Sequence, residues 1–238
     1  SDKELLDDTI RKMRKLHRDS VELLDDIRRK LEELLRKVRE LLDRNVKKIR
    51  ELIELRKKTD ERELKKRVDD IERENEEALR RIAEEIKEIK KKIDRAVKEY
   101  KTELRKLKEK LKDALRRVSD EKVKEVIRRL LEALDRNAEL NEDVLRRILE
   151  MLERILETIK EIIKKNIKSL RELLELIARG SRDSDLEDLI RRDIEELKKV
   201  IEKLEELVRR IEELLREAKE RDKESLDRIE DELRKAKK

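Results

Sequence analysis

One histidine, one aspartate and one serine are the residues of this chain that could do chemistry together. His17, Asp222 and Ser225 are the three residue types of a hydrolase triad, and His17 is the only histidine among 238 residues. A triad also needs amide donors for the oxyanion, such as those of a strained turn or a glycine-rich loop. The chain has one glycine and no proline, so we predict no catalytic residue and no enzymatic activity.

Metal binding is the second chemistry that a helical histidine could support. Ferritin-like bundles hold two metal ions with Glu-x-x-His motifs on two helices, and a single histidine cannot supply both. We therefore predict no metal site and no cofactor. We interpret His17 as a core histidine that is hydrogen-bonded to other polar side chains, with a partly exposed position on a helix surface as the alternative.

The composition is typical of long helices or coiled coil. Charged residues make up 57% of the chain and hydrophobic residues 35%, with Leu, Glu, Lys and Arg the dominant types. The net charge of +6 is a small difference between 71 basic and 65 acidic residues that are mixed along every segment, whereas a nucleic-acid-binding protein gathers its basic residues on one face. No apolar run approaches the length of a membrane span. We predict no nucleic acid, membrane or small-molecule substrate as a partner, and no signal peptide.

Three breaks interrupt the helical pattern, near Thr59, Ser119 and Gly180. They leave four segments of about 53 to 60 residues, each on the order of 85 Å long at 1.5 Å per residue. Equal lengths and short turns predict an all-α fold, an antiparallel up-down four-helix bundle of helices of about 55 residues with coiled-coil-like packing. We expect one domain over residues 1–238, composed of the helical hairpins 1–118 and 119–238.

Capping residues flank these breaks. Thr59 and Ser119 each precede two acidic residues, which predicts a capping hydroxyl followed by negative charge at a helix start. Gly180 is predicted to take the left-handed conformation after the third helix. The S-x-x-E capping box fits two helix starts, Ser1 with Glu4 and Ser184 with Glu187.

Apolar residues recur at steps of three and four in each segment, which predicts one buried stripe per helix. The third segment has about 27 apolar residues, against about 18 to 20 in each of the others, and a stripe that wide predicts more than one interface. We expect helix 120–178 either to contact a second copy of the chain or to lie more centrally in the bundle. The stripe predicted for the second segment is Leu64, Val68, Ile71, Ala78, Ile82, Ile86, Ile89, Ile93, Val97, Leu104, Leu107, Leu111, Leu115 and Val118.

The polar residues within the stripes fall into two layers. In antiparallel helices joined by a short turn, the numbers of two facing residues add up to about twice the number at the centre of the turn. This total is about 120, 238 and 363 for the three successive helix pairs. It is about 245 for the fourth helix against the first. One predicted layer is His17, Ser20, Tyr100, Asn137, Asn141, Asp222 and Ser225. The second is Asn45, Asn75, Asn166 and Ser169, with Asp193 as a further candidate.

Such layers would fix the register of the helices. A buried polar group that is left unpaired costs about 1 to 3 kcal/mol, so a shift by one heptad is penalised, which it would not be in a wholly apolar core. If His17 is buried and neutral, its protonation should also weaken the bundle at acidic pH. Acid unfolding of a His17→Asn variant that matched the parent would contradict this.

The chain as a whole resembles a de novo designed helical bundle with buried hydrogen-bond networks. The resemblance rests on capped helices of matched length, surfaces made almost wholly of Glu, Lys, Arg and Asp, aliphatic cores, and isolated Asn, Ser, His and Tyr in layers. It covers all 238 residues and is one of style, without a sequence motif.

The resemblance implies a structural scaffold or a self-assembling bundle with no evolved enzymatic activity. Its partner would be a second copy, through helix 120–178, or a designed helical partner. Two alternatives stay open: a designed switch or helix-binding module in which the fourth helix can be displaced, and a natural rod-like coiled-coil spacer.

Overall fold

Four long α-helices make up the fold. The computed structural model describes residues 2–237 and the side chains of residues 3–235. The predicted breaks and the all-α, up-down four-helix class are confirmed. The helices are α1 (Asp2–Leu55), α2 (Glu61–Arg117), α3 (Glu121–Ala178) and α4 (Asp183–Lys237).

Helices that follow one another in the chain are antiparallel, and ion pairs between them show the register. Lys37 of α1 pairs with Glu85 of α2, so the residue numbers total 122, close to the predicted 120. Arg39 of α1 pairs with Glu205 of α4 at 2.5 Å, a total of 244 against the predicted 245. The register that the turns imply is therefore present on both sides of α1.

The start of α2 is capped one residue later than predicted. The carboxylate of Asp60 accepts a hydrogen bond from the Glu63 amide at 3.0 Å, which makes Asp60 the N-cap. Thr59 belongs to the preceding helix end, because its hydroxyl donates to the Leu55 carbonyl at 3.0 Å. The cap prediction for Thr59 is therefore wrong, and the anionic acceptor takes the place at the positive end of the helix.

The start of α3 departs from prediction in the same way as that of α2, whereas α4 starts earlier than predicted. Asp120, and not Ser119, accepts a hydrogen bond from a first-turn amide at 3.0 Å. Ser184 lies inside the first turn of α4, because the Leu186 amide already donates to the Arg182 carbonyl, so the capping box predicted there is wrong. The box predicted at Ser1 lies outside the described residues.

The end of α3 is a Schellman motif, as Gly180 predicts. Gly180 has a φ of 68°, in the left-handed region that favours glycine. Its amide donates to the Ile177 carbonyl at 3.1 Å, and the Ser181 amide donates to the Leu176 carbonyl at 3.0 Å. These two bonds satisfy carbonyls that the end of the helix would otherwise leave unpaired.

The chain falls into two compact units. Unit 1 contains residues 1–29, 89–149 and 211–238, and unit 2 contains residues 30–88 and 150–210. Each unit takes a segment from all four helices and so combines parts of both predicted hairpins. The division into one domain and two hairpins stays a prediction.

Each unit has its own apolar core. Leu111, Ile127 and Leu233 are fully buried in unit 1, and Val68 and Leu170 are buried in unit 2. Burying one such side chain stabilises the fold by about 1.5 to 3 kcal/mol relative to leaving it exposed. The alternation of these residues with charged ones is what makes each helix amphipathic.

The buried stripe of α2 follows the prediction at most positions. Ala78, Val97 and Leu115 are half-buried instead of buried, and Ala114 takes the core position next to Leu115. An α-helix completes one turn every 3.6 residues, whereas the apolar pattern repeats about every 3.5 residues. The apolar stripe therefore drifts around a long helix. The predicted core position at Leu115 is therefore wrong by one residue.

The wide stripe of α3 is largely taken up inside its own units. Leu131 packs beside the core of unit 1 and Leu174 beside that of unit 2. Among the described residues, Leu140 is the one large apolar side chain that is exposed, at 41%. The choice between a more central position for α3 and an interface with a second copy stays a prediction.

Candidate functional site

The seven residues of the first predicted layer all lie in unit 1, where α3 joins two other helices through polar contacts. Asn137 Nδ2 donates to Ser225 Oγ of α4 at 3.0 Å. Asn141 Nδ2 donates to Tyr100 Oη of α2 at 3.5 Å, a longer and weaker contact. Both pairings agree with the register predicted from the turns.

Asp222 interacts electrostatically with residues of this layer. Burial raises the pKa of Asp222, while the charge of His17 and a hydrogen bond from Asn141 oppose the rise. Burial also raises the pKa of Tyr100 to about 12, and the carboxylate of Asp222 adds to this effect. Tyr100, Asn141 and Asp222 thus form one polar cluster, with His17 acting on it electrostatically.

His17 does not occupy the hydrogen-bonded core position predicted for it. Its side chain is half-buried, and Nδ1 is shielded from solvent without a hydrogen-bond partner among the described residues. The carboxylate that it influences, Asp222, is hydrogen-bonded to Asn141. Ser225 is likewise engaged by Asn137, so the three residue types of a triad are near one another without triad hydrogen bonding.

The second predicted layer lies in unit 2, and its asparagines are much more deeply buried than the residues of the first layer. Asn45, Asn75 and Asn166 are 3%, 1% and 2% exposed. The Nδ2 atoms of all three, and Oδ1 of Asn75 and Asn166, have no hydrogen-bond partner in the part of the chain that the structure describes. These asparagines are thus buried, and no hydrogen bond joins them to one another within the described residues.

Ser169 and Asp193 form a separate contact in the same unit. A hydrogen bond joins the Ser169 hydroxyl to the Asp193 carboxylate, and burial raises the pKa of Asp193. A cavity of about 10 Å³ lies beside Asn166, Ser169 and Asp193. A space of that size has room for about one water molecule.

Two features of unit 1, a buried threonine and a groove, were not predicted from the sequence. Thr9 is 2% exposed and donates its hydroxyl to the Leu5 carbonyl at 2.8 Å. Its spacing of four residues before Met13, within the stripe of α1, is the signal that could have revealed it, since threonine in a helix can return its hydroxyl to the preceding turn.

The second is a groove of about 1510 Å³ in unit 1, lined by residues of α1, α2 and α3. Ser20, Tyr100 and Asn141 line it together with the small residues Ala96 and Ala138. Small side chains at positions where the stripes otherwise carry Leu or Ile are the only sequence signal for it. The groove therefore exposes part of the first polar layer.

Two kinds of site are absent from residues 2–237. No group of three or more His, Cys, Asp or Glu side chains is placed to hold a metal ion. None of the four helices has a stretch that is both long and apolar enough to cross a membrane.

Comparison with known proteins gives little further guidance. No protein-family model matches the chain, and no curated protein matches it. A solved structure titled "Computationally designed three helix bundle" is similar, with 18% sequence identity, coverage of 97% of this chain and 94% of that chain, and a TM-score of 0.24. These values are too low to carry a function from that protein to this chain.

Proposed function

We propose that the chain is a designed structural helical bundle, a scaffold or self-assembling component with no evolved enzymatic activity. The observation that supports this is the pairing of polar side chains across α2, α3 and α4 in unit 1, where Asn137 meets Ser225 and Asn141 meets Tyr100. These residues bond to one another, so their first effect is on the structure itself.

The layer works by penalising the wrong register. Sliding α3 by one heptad would move Asn137 and Asn141 away from their partners and place apolar side chains beside Asp222. Each buried group left unpaired would then cost about 1 to 3 kcal/mol. An apolar core alone has no comparable penalty, since Leu and Ile pack acceptably against one another in several registers.

The surface supports a scaffold role for a different reason. Its charges pair between and within helices, as in Lys101 with Glu142 at 2.9 Å and Arg210 with Glu206 at 3.0 Å. Exposed pairs of this kind contribute about 0.2 to 1 kcal/mol each. They keep the surface polar without creating a large field of one sign.

Self-association through helix 120–178 is the weaker form of the proposal. Its support is one exposed leucine, Leu140, at 41%, and a stable interface buries far more apolar surface than one side chain offers. We therefore place a monomeric scaffold ahead of a homo-oligomer. Light scattering should give a mass near 29.0 kDa; a multiple of it that Leu140→Glu abolishes would favour self-assembly.

Register is tested by cross-linking, because the chain has no cysteine of its own. Cysteines at 137 and 225 replace a pair in contact in the structure, and cysteines at 137 and 218 are offset by one heptad. We expect a disulfide in the first variant only. Adding Asn141→Leu should allow the offset pair to form as well. Cross-linking of the offset pair with Asn141 intact, or no change on adding Asn141→Leu, would mean that the polar layer does not set the register.

A further inference from the structure

The groove of unit 1 lies where α1 and α2 have the fewest links. At one end Lys92 pairs with Asp26, and at the other Lys12 and Lys110 both line the groove. Between these ends the described residues form no ion pair from α1 to α2. The groove wall on α1 runs from Lys12 to Arg29, which is about 27 Å of helix.

Apolar side chains are spaced along the groove among the charged residues that line it. Leu16 and Leu23 of α1 flank Ser20 at steps of four and three, and Leu145 of α3 lies four residues after Asn141. This spacing gives an apolar track along the helices. Amphipathic helices dock on such tracks through side chains spaced three and four residues apart.

The centre of the track has polar groups with hydrogen-bonding capacity to spare. Ser20 makes no hydrogen bond within the described residues, and Tyr100 Oη has only the 3.5 Å contact from Asn141. A hydroxyl can both donate and accept. A side chain with both capacities, such as Asn or Ser, would therefore find partners at this level of the groove.

The charges around the groove indicate the kind of partner. Eight basic and eight acidic side chains line it, so it has no excess charge for a nucleic acid or an anionic membrane. At one end Lys12 pairs with Asp8 at 3.1 Å and Lys106 with Glu103 at 3.7 Å. Lys110 lines the groove there and has no ion pair among the described residues. A carboxylate from a partner would stabilise the ammonium group of Lys110.

A second copy of the chain is a poor fit to the groove. The described residues present one exposed large apolar side chain, Leu140, so a folded copy has no apolar ridge to insert. A separate helix can offer a complete apolar face.

We propose that the groove between α1 and α2 in unit 1 binds an amphipathic helix of about 18 to 22 residues. The bound helix places an acidic side chain at Lys110, an Asn or Ser at Ser20 and Tyr100, and apolar residues along the track between them. This goes beyond a scaffold role and gives the helix-binding alternative a location that does not require α4 to leave.

The probe is a synthetic peptide of three heptads with Leu at the core positions, one central Asn, two Glu at one end and no aromatic residue. Fluorescence anisotropy at nanomolar labelled peptide should show a Kd of about 10 μM or tighter. Tyr100 is the only aromatic residue of the chain, so unlabelled peptide should change the near-ultraviolet circular dichroism from this one side chain. No binding at about 100 μM protein would overturn the proposal.

Two alanines of α2 provide the matched variants. Ala96→Arg fills the groove and should weaken binding at least about tenfold, whereas Ala83→Arg substitutes a half-buried alanine outside it and should leave the Kd unchanged. Equal binding by both variants would mean that the peptide docks elsewhere or displaces a helix. A doubled mass of the protein alone that Ala96→Arg abolishes would show a second copy as the occupant; both results overturn the proposal.

The end of the groove at Lys110 is tested by a charge exchange. Lys110 is on the surface, and Lys110→Glu should weaken binding of the Glu-ended peptide by about twofold to fivefold, the usual range for an exposed ion pair. A peptide with Lys in place of the two Glu should bind the Lys110→Glu variant more tightly than it binds the parent. If the exchange has no effect on either peptide, the acidic end of the proposed partner is wrong.

Discussion

The polar layers of unit 1 and unit 2 differ in both chemistry and hydrogen bonding. Unit 1 combines hydroxyls, a carboxylate and carboxamides in half-buried positions, and Asn137 and Asn141 find partners there. Unit 2 has three asparagines that are at most 3% exposed, with their Nδ2 atoms unpartnered. Side chains of different lengths can span different gaps between helices, while three equal side chains reach equally far. Sharing a level in the core is thus insufficient for pairing.

The largest effect should come from replacing the three unpaired asparagines of unit 2. Replacing Asn45, Asn75 and Asn166 by leucine removes buried groups that have no partner, and each such group costs about 1 to 3 kcal/mol. We expect the triple variant to gain about 3 to 6 kcal/mol in the free energy of unfolding, measured by urea denaturation.

A valine triple variant controls for the larger volume of leucine, because overpacking can itself cost stability. If both triple variants are less stable than the parent, the three carboxamides are hydrogen-bonded in solution, and the contrast between the two layers disappears.

The same substitution in unit 1 should have the opposite sign. Asn141→Leu removes a donor from Tyr100 and Asp222, so we expect a loss of about 1 to 3 kcal/mol in the free energy of unfolding. Asn166→Leu is the matched control and should raise stability. Two changes of equal sign would show that the layers are energetically alike.

Asp222 should make the stability of unit 1 depend on pH. Burial raises its pKa above the ordinary value of 3.8, so the unfolded chain ionises first as pH rises. The contribution of Asp222 is then greatest at low pH and falls as pH rises through the raised pKa. Asp222→Asn should increase Tm by a few °C at pH 7, with a smaller difference from the parent below pH 3.8. A difference that grows on acidification would mean that the pKa is lowered.

Surface ion pairs should give the smallest effect and no contrast between the units. Lys219 lowers the pKa of Asp25 in unit 1, and Glu85 raises the pKa of Lys37 in unit 2. Lys219→Met and Lys37→Met should each cost about 0.2 to 1 kcal/mol, less in 1 M NaCl because salt screens exposed charges. A loss of stability well above about 1 kcal/mol for one of the two variants would mean that its ion pair contributes more than an exposed pair usually does.

The helices and their register could be predicted because both depend on local chemistry and chain geometry. Helix breaks followed from Gly180 and from the polar residues near Thr59 and Ser119. Pairings such as Asn137 with Ser225 followed from the turn positions alone. The caps of α2 and α3 were missed by one residue, because a serine or threonine next to an aspartate leaves two candidate acceptors and the sequence does not rank them.

The hydrogen bonds and the groove were beyond the sequence for a different reason. Whether Asn45 reaches Asn75 depends on tenths of an ångström between helices, which residue counting does not give. The groove depends on the spacing of α1 and α2 beside Ala96 and Ala138, and alanine is equally compatible with close packing. Residue counting gave the level of His17 in the bundle, but not whether its Nδ1 finds a hydrogen-bond partner there.

The turn after α3 has a practical consequence for chain length. A Cβ at Gly180 would meet nothing within 4 Å, so this corner of the chain opens into solvent. Doubling the length of a flexible loop costs only about 0.6 kcal/mol in closure entropy. A guest peptide inserted after Ser181 could therefore be displayed from the corner while the Schellman hydrogen bonds on its α3 side stay in place.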